Sequence, residues 1–526
     1  MTTTSENLVS TPSDTSHDVR NPANGQVVGR VNWTDPSDIP GIVAQLAKAQ
    51  PSWERLGPEG RGQVLARFAQ WLIDNTGRIE AQLIAETGKS KIDGGIEIPS
   101  ILAIIAYYAP KAAEFLAPES RPASSIAMNT KKITVHQRPR KVVGVISPWN
   151  YPVALGYWDV IPALLAGCSV LLKPSERTPL SDELIANGWA EIGGPPVFEV
   201  VHGAREVGEA LVDNVDFVQF TGSTATGKKI MERAARRLTP VSLELGGKDP
   251  MLVLPDADVK RAAHAAVWGS MFNAGQTCVS VERVYVHDSI YEQFVDLVVE
   301  EVRGLEIGAG LDHSVGAMID ENQLEVVDRH VRQAVSSGAR ALTGGARIPG
   351  HGSFYAPTVL VDVDHSMDCM REETFGPTLP IMRYSEESEA IALANDSEYG
   401  LSASVWSKDR RRAERVALQL DCGTVNINDV IMNLSCLTAP HGGWKGSGLG
   451  SRFGGVDGLR KYCRTEAIVD TRVTLPSSGR CGTAARAGWR RLRSRASPSS
   501  RTRRCARFGA DTGRLLTVHP KDDCRG

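Results

Sequence analysis

Residues 141–173 read KVVGVISPWNYPVALGYWDVIPALLAGCSVLLK, and this stretch decides the fold. Two short apolar runs, 141–147 and 169–173, predict strands, and residues 152–166 between them have the length and composition of a helix. The strands are apolar at nearly every position rather than at alternate positions. Such strands are buried on both faces, which is typical of a parallel sheet covered by helices. The stretch therefore predicts a strand–helix–strand unit.

The same alternation continues towards the C-terminus. Further strands are predicted at 197–202, 217–220, 241–245 and 251–254, and further helices at 179–189, 227–238 and 257–272. A second alternating region extends to about residue 430. This order of elements predicts an α/β protein with a doubly wound parallel sheet.

The formal net charge of −2 hides two oppositely charged parts of the 526-residue chain. Residues 472–526 contain 13 Arg, 1 Lys and 3 Asp, a charge of +11 that leaves −13 for the first 471 residues. Because this end has neither helical nor strand periodicity, residues 474–526 are predicted to form a disordered basic tail. Charge alone supports an alternative function, a nucleic-acid-binding protein, but without interleaved aromatic residues a nucleic-acid partner is disfavoured.

The sequence predicts a cytoplasmic protein with no membrane partner. The N-terminus, MTTTSENLVS, has no apolar run, and no stretch reaches the roughly 18 uninterrupted apolar residues of a spanning helix. The nine cysteines include no CxxC pair and no Cys/His cluster at zinc spacing. Free thiols and no metal site are therefore expected.

Three residues are candidates for catalysis. Cys278 lies in NAGQTCVS after a predicted helix, where a thiolate could attack a carbonyl carbon, although a single cysteine is more often structural. Glu244 ends a strand in LELGGKDP and could act as a general base in the crevice where doubly wound sheets bind ligands. Asn150 in SPWNYP carries an amide that can stabilise an oxyanion. Taken singly, each also fits a structural role.

Two further motifs point to a nucleotide. Lys173 and Glu176 in KPSE follow a strand and suit the hydroxyl groups of a ribose. Gly222 and Ser223 begin GSTATGKK, a turn at a helix start that would bind phosphates. The turn nearly matches the phosphate loop of NTPases, but Lys229 stands where that loop needs a hydroxyl group. From these residues alone, the kind of nucleotide binder stays open.

Taken together, the motifs resemble those of the NAD(P)-dependent aldehyde dehydrogenase superfamily. PWNYP, KPSE, FTGSTATG, LELGGKDP, GQTCVS, EETFGP and PHGGWKGSGLG occur in the family's order, within a match from about residue 21 to 470. The resemblance implies a Rossmann-like cofactor domain (1–130 and 142–246), an α/β catalytic domain (247–461) and a β oligomerisation arm (131–141 and 462–473). It also implies a homodimer or homotetramer.

The resemblance further implies a role for each site residue. Cys278 would form a thiohemiacetal with the aldehyde and then a thioester, Asn150 and the Cys278 N–H would form the oxyanion hole, and Glu244 would activate water. Cofactor-binding roles fall on Trp149, Lys173, Glu176, Gly222, Ser223, Glu373 and Phe375. CoA-acylating relatives typically lack the base that Glu244 provides, so hydrolysis to the acid is favoured.

Cofactor and substrate preferences can be narrowed. A carboxylate at Glu176 would repel a 2′-phosphate, which favours NAD, with NADP possible. Flanking sequence is similar to bacterial succinate-semialdehyde dehydrogenases, but the two positions where these enzymes commonly carry a substrate-binding Arg are Trp158 and Phe272. Apolar aliphatic or aromatic aldehydes are therefore expected, with succinate semialdehyde as the alternative. His441 stands where the family often has Phe.

Overall fold

The computed structural model describes residues 16–308 and 315–472, so the predicted tail at 474–526 lies outside the described residues. The described chain forms two compact units. The first comprises 16–121 and 134–468 apart from the gap at 309–314, and the second comprises 122–133 and 469–472. The first unit has the predicted α/β fold, with two large sheets and helices packed on them.

The first large sheet has six strands. Five are parallel to their neighbours, and the edge strand Gly448–Leu449 is antiparallel. Its spatial order is Gly448–Leu449, Val241–Glu244, Phe217–Thr221, Val142–Ile146, Ser169–Lys173 and Phe198–Val200. Helices flanking this region are Ile39–Arg55, Gly57–Asp74, Thr76–Thr87, Lys91–Gly94, Glu97–Tyr108, Ala112–Phe115, Pro152–Ala166, Leu180–Glu191, Arg205–Asn214, Thr224–Ala235 and Val456–Arg460.

The predicted strand–helix–strand unit is confirmed. Val142–Ile146 pairs in parallel with Ser169–Lys173, and every residue of both strands is buried. Helix Pro152–Ala166 between them is also buried at every position, which explains why it is apolar on all sides. It begins with Pro152, and Gly167 ends it with a φ of +100°, a conformation that favours glycine.

The second large sheet has seven strands. All neighbours are parallel except the antiparallel pair Arg340–Thr343 and Thr358–Val361. Its spatial order is Arg340–Thr343, Thr358–Val361, Thr378–Tyr384, Val281–His287, Asp249–Val253, Ser402–Trp406 and Thr424–Ile427. Its helices are Val259–Met271, Tyr291–Arg303, Glu321–Ser336, Asp368–Arg371, Glu387–Asn395 and Arg410–Ala417.

Smaller sheets complete the description. Ser16–Arg20 pairs with Val27–Asn32, and Pro440–His441 pairs with Arg452–Phe453. Strands also occupy the predicted oligomerisation arm, where a three-stranded sheet has the order Cys463–Thr471, Lys131–Pro139 and Glu119–Arg121. The predicted domain boundaries and the role of the arm stay predictions.

A buried ion cluster ties the C-terminal segment to the first sheet. Asp159 on helix Pro152–Ala166 accepts hydrogen bonds from Arg452 at 2.8 and 3.0 Å, Lys461 at 3.1 Å and the Tyr462 hydroxyl at 2.7 Å. Burial raises the pKa of Asp159, but the charges of Arg452 and Lys461 outweigh it and hold the pKa below the usual value. The carboxylate is therefore charged and fully partnered.

One helical stretch among the described residues, Lys91–Phe115, is long and apolar enough to cross a membrane. Ile98, Ile101 and Ile104 on this stretch are almost completely buried in the same core cluster as helix Pro152–Ala166. A core helix passes the same test of length and composition, so the stretch is weak evidence for a membrane span.

We expect Asp159→Ala to lower the free energy of unfolding by about 3–5 kcal/mol, because it leaves the buried Arg452 and Lys461 without their carboxylate. The matched control is Asp18→Ala, which removes a surface pair with Arg30 at 2.6 Å and should cost about 0–1 kcal/mol. Urea unfolding followed by tryptophan fluorescence measures both. Equal losses in the two variants would contradict the proposed importance of the buried cluster.

Candidate active site

The predicted polar residues follow the carboxyl ends of neighbouring parallel strands. Asn150 comes four residues after Val142–Ile146, Lys173 ends the next strand, and Glu244 ends Val241–Glu244. Gly222 directly follows Phe217–Thr221, and its N–H donates to the Glu244 carbonyl at 3.1 Å. Since parallel strands end at the same edge of a sheet, these residues meet in the crevice where such folds bind ligands.

Cys278 lies in a sharply bent turn between helix Val259–Met271 and strand Val281–His287. Asn273, Ala274 and Gly275 all have positive φ values, of 53°, 55° and 72°. At Gly275 a Cβ atom would lie 2.0 Å from the Gly376 carbonyl oxygen, so only glycine fits. Strained backbone of this kind is typical of functional sites.

Hydrogen bonds join the turn before Cys278 to the Asn150 loop. The Asn150 side-chain amide donates to the Gln276 carbonyl at 2.9 Å, and the Asn273 amide donates to the Asn150 carbonyl at 3.1 Å. The Tyr151 hydroxyl lies 2.8 Å from the Thr277 hydroxyl. These contacts place the amide of Asn150, which is almost fully buried, beside the backbone that leads to Cys278.

The two glycines after Glu244 bring its strand end close to Cys278. A Cβ atom at Gly247 would lie 2.6 Å from the Cys278 carbonyl oxygen, and one at Gly246 would lie 2.4 Å from a carboxylate oxygen of Glu373. The Glu373 carboxylate accepts a hydrogen bond from the Gly247 N–H at 3.0 Å. The motifs around residues 244, 278 and 373 therefore pack together through backbone contacts that larger residues would prevent.

The environment of Cys278 disfavours its thiolate. Burial, followed by the negative charge of Glu244, raises the pKa of the Cys278 thiol to about 12. The positive charge of Arg452 acts in the opposite direction but is weaker than the burial and Glu244 effects. At neutral pH the thiol is therefore protonated, and its reaction with a carbonyl carbon requires a base.

One cavity of about 810 Å³ brings most of the predicted site residues together. Those that line it are Trp149, Asn150, Lys173, Glu176, Gly222, Ser223, Glu244, Cys278, Glu373 and Phe375. Trp158 and Phe272 are not among its lining residues. The structure therefore gathers the predicted catalytic and cofactor residues but leaves the two predicted substrate residues outside this cavity.

One group of residues that line the cavity fits a dinucleotide. Ser223 caps helix Thr224–Ala235 by accepting from the Thr226 N–H, and a helix start of this kind binds phosphate groups. The Lys173 ammonium group is buried, 2.9 Å from the Pro174 carbonyl oxygen and 3.7 Å from Glu176. Burial lowers the pKa of Lys173. A buried cation beside a carboxylate suits ribose hydroxyl groups.

Glu373 and Phe375 also line the cavity, and Glu373 contacts the 246–247 loop that packs against Cys278. Phe375 has a φ of 52° and packs edge-to-face with Trp149, with ring centroids 5.4 Å apart. Burial, then the nearby charge of Glu282, raises the pKa of Glu373 to about 8. A carboxyl group with this pKa can accept a hydrogen bond from a ribose hydroxyl group or, when protonated, donate one to it.

Sequence reasoning did not identify the buried pair that holds Thr374 and Phe375. Glu282 accepts from Lys248 at 2.5 Å and from the N–H groups of Thr374 and Phe375 at 3.2 and 2.9 Å. Lys248 ends LELGGK, directly before strand Asp249–Val253, and Glu282 lies inside strand Val281–His287, four residues after Cys278. These charged residues in otherwise apolar surroundings were the available signal.

Trp158 and Phe272 lie in two separate aromatic clusters. Phe272 stacks on Tyr151, with centroids 6.2 Å apart, and Trp158 packs against Phe453 at 5.4 Å. Trp158 donates to the Ser100 hydroxyl at 2.9 Å. Phe272 is partly exposed whereas Trp158 is nearly buried, so Phe272 is the more accessible of the two.

This fold and cavity fit an oxidoreductase that binds a dinucleotide, and the sequence comparison identifies which one. Residues 9–468 match the aldehyde dehydrogenase family, to which the chain belongs. It is an NAD(P)-dependent enzyme that oxidises aldehydes to carboxylic acids. The predicted family, fold class and type of reaction are therefore confirmed.

Named relatives and solved structures agree with this family. The chain is 40% identical over 458 residues to 4,4'-diapolycopene aldehyde oxidase from Methylomonas sp, covering 86% of each protein. It is 40% identical over 442 residues to a putative succinate-semialdehyde dehydrogenase [NADP(+)] from Mycobacterium ulcerans, covering 83% of this chain and 85% of the relative. Betaine aldehyde dehydrogenase from Staphylococcus aureus in complex with NAD+ matches with a TM-score of 0.83 and 32% identity, over 88% of this chain and 93% of that chain.

We expect Glu244→Gln to increase the rate of Cys278 alkylation by iodoacetamide at pH 8 by a few-fold. Removing the carboxylate charge lowers the pKa of the thiol, and one pKa unit changes the thiolate fraction about ten-fold. In the wild type, the rate should rise about ten-fold per pH unit below the pKa of about 12.

Mass spectrometry of the labelled peptides measures this rate, with the exposed Cys436 as the internal reference. A slower reaction of Cys278 in Glu244→Gln, with unchanged labelling of Cys436, would show that the carboxylate does not suppress the thiolate.

Proposed function

We propose that this aldehyde dehydrogenase acts on apolar aldehydes, with Cys278 as nucleophile, Asn150 as oxyanion donor and Glu244 as general base. The single observation that supports these roles is that the three side chains line one cavity with the residues of a dinucleotide cradle. A thiol, an amide and a carboxylate are the groups that aldehyde oxidation through a thioester requires.

In the first step the Cys278 sulfur attacks the aldehyde carbon and the carbonyl oxygen takes up negative charge. The Asn150 amide has a second N–H besides the one that donates to Gln276, and this N–H can stabilise the oxygen together with the Cys278 N–H. The thiol proton is released to water as the carbon–sulfur bond forms.

When bound, NAD(P)+ supplies the hydride acceptor that converts the thiohemiacetal into a thioester. Lys173 and Glu176 would hold the adenine-side ribose, Gly222 and Ser223 the pyrophosphate, and Glu373 the other ribose. Trp149 and Phe375, which pack edge-to-face, would contact the nicotinamide region.

In the second half of the reaction Glu244 removes a proton from water as the water oxygen attacks the thioester carbon. The carbon–sulfur bond then breaks, Cys278 leaves with the electron pair and the carboxylic acid is released. Glu244 lies at the end of a buried strand with a side chain only 4% exposed, so few other water molecules compete for its charge.

The ion pair beside Trp158 favours an apolar substrate over a charged one. Arg452, the cation beside Trp158, has its guanidinium group committed to Asp159 and Thr221. A substrate carboxylate would therefore compete with a buried ion pair, whereas an apolar chain gains roughly 25 cal/mol per Å² buried. The names of relatives that act on succinate semialdehyde support the alternative substrate.

The cofactor preference is proposed as NAD. Glu176 lies 3.7 Å from Lys173, and its carboxylate would repel the 2′-phosphate of NADP. The mycobacterial relative named for NADP(+) supports the opposite preference. A higher kcat/KM with NADP than with NAD, measured with one aldehyde, would decide against NAD.

We also propose that the enzyme is a cytoplasmic homodimer or homotetramer with the domain boundaries predicted above. In strand Cys463–Thr471 every residue after Cys463 is exposed, and this strand lies at the edge of its sheet, where another chain can pair with it. Light scattering that gave the mass of one 56.8-kDa chain would contradict the oligomer.

We expect kcat/KM to be at least about ten-fold higher for hexanal and benzaldehyde than for succinate semialdehyde, because Arg452, the cation beside Trp158, is already held by Asp159 and would have to leave it to pair with the distal carboxylate. Phe272→Arg should narrow this ratio by raising kcat/KM for succinate semialdehyde, since Phe272 is partly exposed and an Arg there can reach water. The assay follows reduced nicotinamide by absorbance.

Phe272→Leu is the matched control, which removes the ring without adding charge and should leave the ratio in favour of apolar aldehydes. A wild-type enzyme that prefers succinate semialdehyde would refute the proposed substrate class, and Cys278→Ala should abolish turnover of every aldehyde.

A further inference from the structure

His441 makes a contact that the family resemblance does not account for. It lies in PHGGWKGSG, on a short strand whose partner residue is Arg452, and its side chain is 1% exposed. Its Nε2 atom lies 3.3 Å from Oε2 of Glu244, the proposed general base. A phenylalanine, which the family often has here, could not make a polar contact with that carboxylate.

Among the described residues, His441 is the only basic side chain within 4.0 Å of Glu244. Arg452 and Lys461 are close enough for their charges to affect Glu244, but both donate hydrogen bonds to Asp159. Glu244 Oε1 and His441 Nε2 are buried atoms without a hydrogen bond in this arrangement. Because neither atom has another partner, a small rotation of the side chains would let His441 form a hydrogen bond with the Glu244 carboxylate.

A chain of hydrogen bonds fixes which nitrogen of His441 carries its proton. The Asn433 backbone N–H donates to Oδ1 of Asn426 at 3.1 Å, so the Asn426 amide nitrogen must be the donor to Oδ1 of Asn433, also at 3.1 Å. This orients the Asn433 amide nitrogen towards Nδ1 of His441, at 3.3 Å. In neutral His441, Nδ1 is therefore the acceptor and the proton lies on Nε2, facing Glu244.

We propose that His441 is a positioning residue for Glu244, an inference that rests on the proposed role of Glu244 as the base. After this rotation the Nε2–H of His441 holds one carboxylate oxygen of Glu244, which leaves the other oxygen to take the proton of the attacking water. Water then forms a bond to the thioester carbon, the carbon–sulfur bond breaks, and the Cys278 thiolate leaves with the bonding electrons. The contact between His441 and Glu244 therefore affects hydrolysis of the thioester and not its formation.

The test compares thioester hydrolysis with thioester formation in His441→Phe. Acylation of Cys278 by p-nitrophenyl acetate, without cofactor, gives a burst of nitrophenol, and the following steady rate reports hydrolysis of the acyl-enzyme. We expect His441→Phe to slow hydrolysis about ten-fold and to leave the burst rate within about two-fold, because one hydrogen bond to a charged group is lost. With aldehyde and NAD, kcat should fall while kcat/KM stays within about two-fold of the wild type.

His441→Gln and His441→Asn provide a second comparison if His441→Phe does not fold. A glutamine amide can reach Glu244 from this position, but the shorter asparagine cannot, so hydrolysis should be restored to within about three-fold of the wild type only by glutamine. Equal hydrolysis rates in the two variants, or a wild-type hydrolysis rate in folded His441→Phe, would overturn the positioning role.

Glu244→Gln separates this inference from the proposed function. If Glu244→Gln hydrolyses the acyl-enzyme as fast as the wild type, the role of Glu244 is wrong and the role of His441 falls with it. If Glu244→Gln hydrolyses the acyl-enzyme slowly and His441→Phe hydrolyses it at the wild-type rate, the proposed role of Glu244 stands and only the positioning role of His441 is overturned.

Discussion

The active site depends on backbone segments that approach one another more closely than any side chain would allow. Gly247 lies against the Cys278 carbonyl, and Gly275 against the Gly376 carbonyl, at distances that leave no space for a Cβ atom. These contacts join the loop after Glu244, the turn before Cys278 and the loop after Glu373. Cys278, Glu244 and Glu373, the proposed nucleophile, base and cofactor carboxylate, are therefore positioned by main chain, which moves less than side chains do.

Close packing of the loops also determines the electrostatics of the site. Burial and the charge of Glu244 raise the pKa of Cys278, and burial raises that of Glu373. Arg452, whose charge acts on Cys278, is held by Asp159, and Lys248, whose charge acts on Glu373, is held by Glu282, so neither cation offsets the effect of burial. In the resting enzyme Cys278 is therefore a protonated thiol. Its reaction with an aldehyde depends on loss of this proton, because little thiolate is present beforehand.

The sequence predicted the parts of the site that lie at strand ends. Asn150, Lys173 and Glu244 were predicted because residues at the carboxyl ends of continuous apolar strands converge in any parallel sheet. Cys278 follows a helix instead, and it was predicted from its motif. The helix predicted at 227–238 begins three residues earlier, at Thr224, because Ser223 caps it. Side-chain capping acts within one turn and is difficult to place from apolar periodicity.

Contacts between distant residues were not predictable in this way. The strand Gly448–Leu449 joins the first sheet beside Glu244, and nothing in its two residues indicates a strand. Asp159 and Arg452 are nearly 300 residues apart in the sequence. In the sequence alone, Asp159 is a single acidic residue in an apolar helix, and Arg452 is one of many arginines, so nothing indicates that they pair. Trp158 and Phe272 were placed by resemblance, and the main cavity is bounded by other side chains.

The position of Gly448–Leu449 in the first sheet also has a consequence for how the protein is made. The strand that carries Glu244 gains its outer neighbour, and helix Pro152–Ala166 its partner Arg452, only from the last part of the folded unit. A ribosome will have finished the strands on both sides of Cys278 long before these residues emerge. Glu244, the proposed base, is therefore enclosed last, so we expect a nascent chain to stay without activity until nearly all of its enzyme portion has been translated.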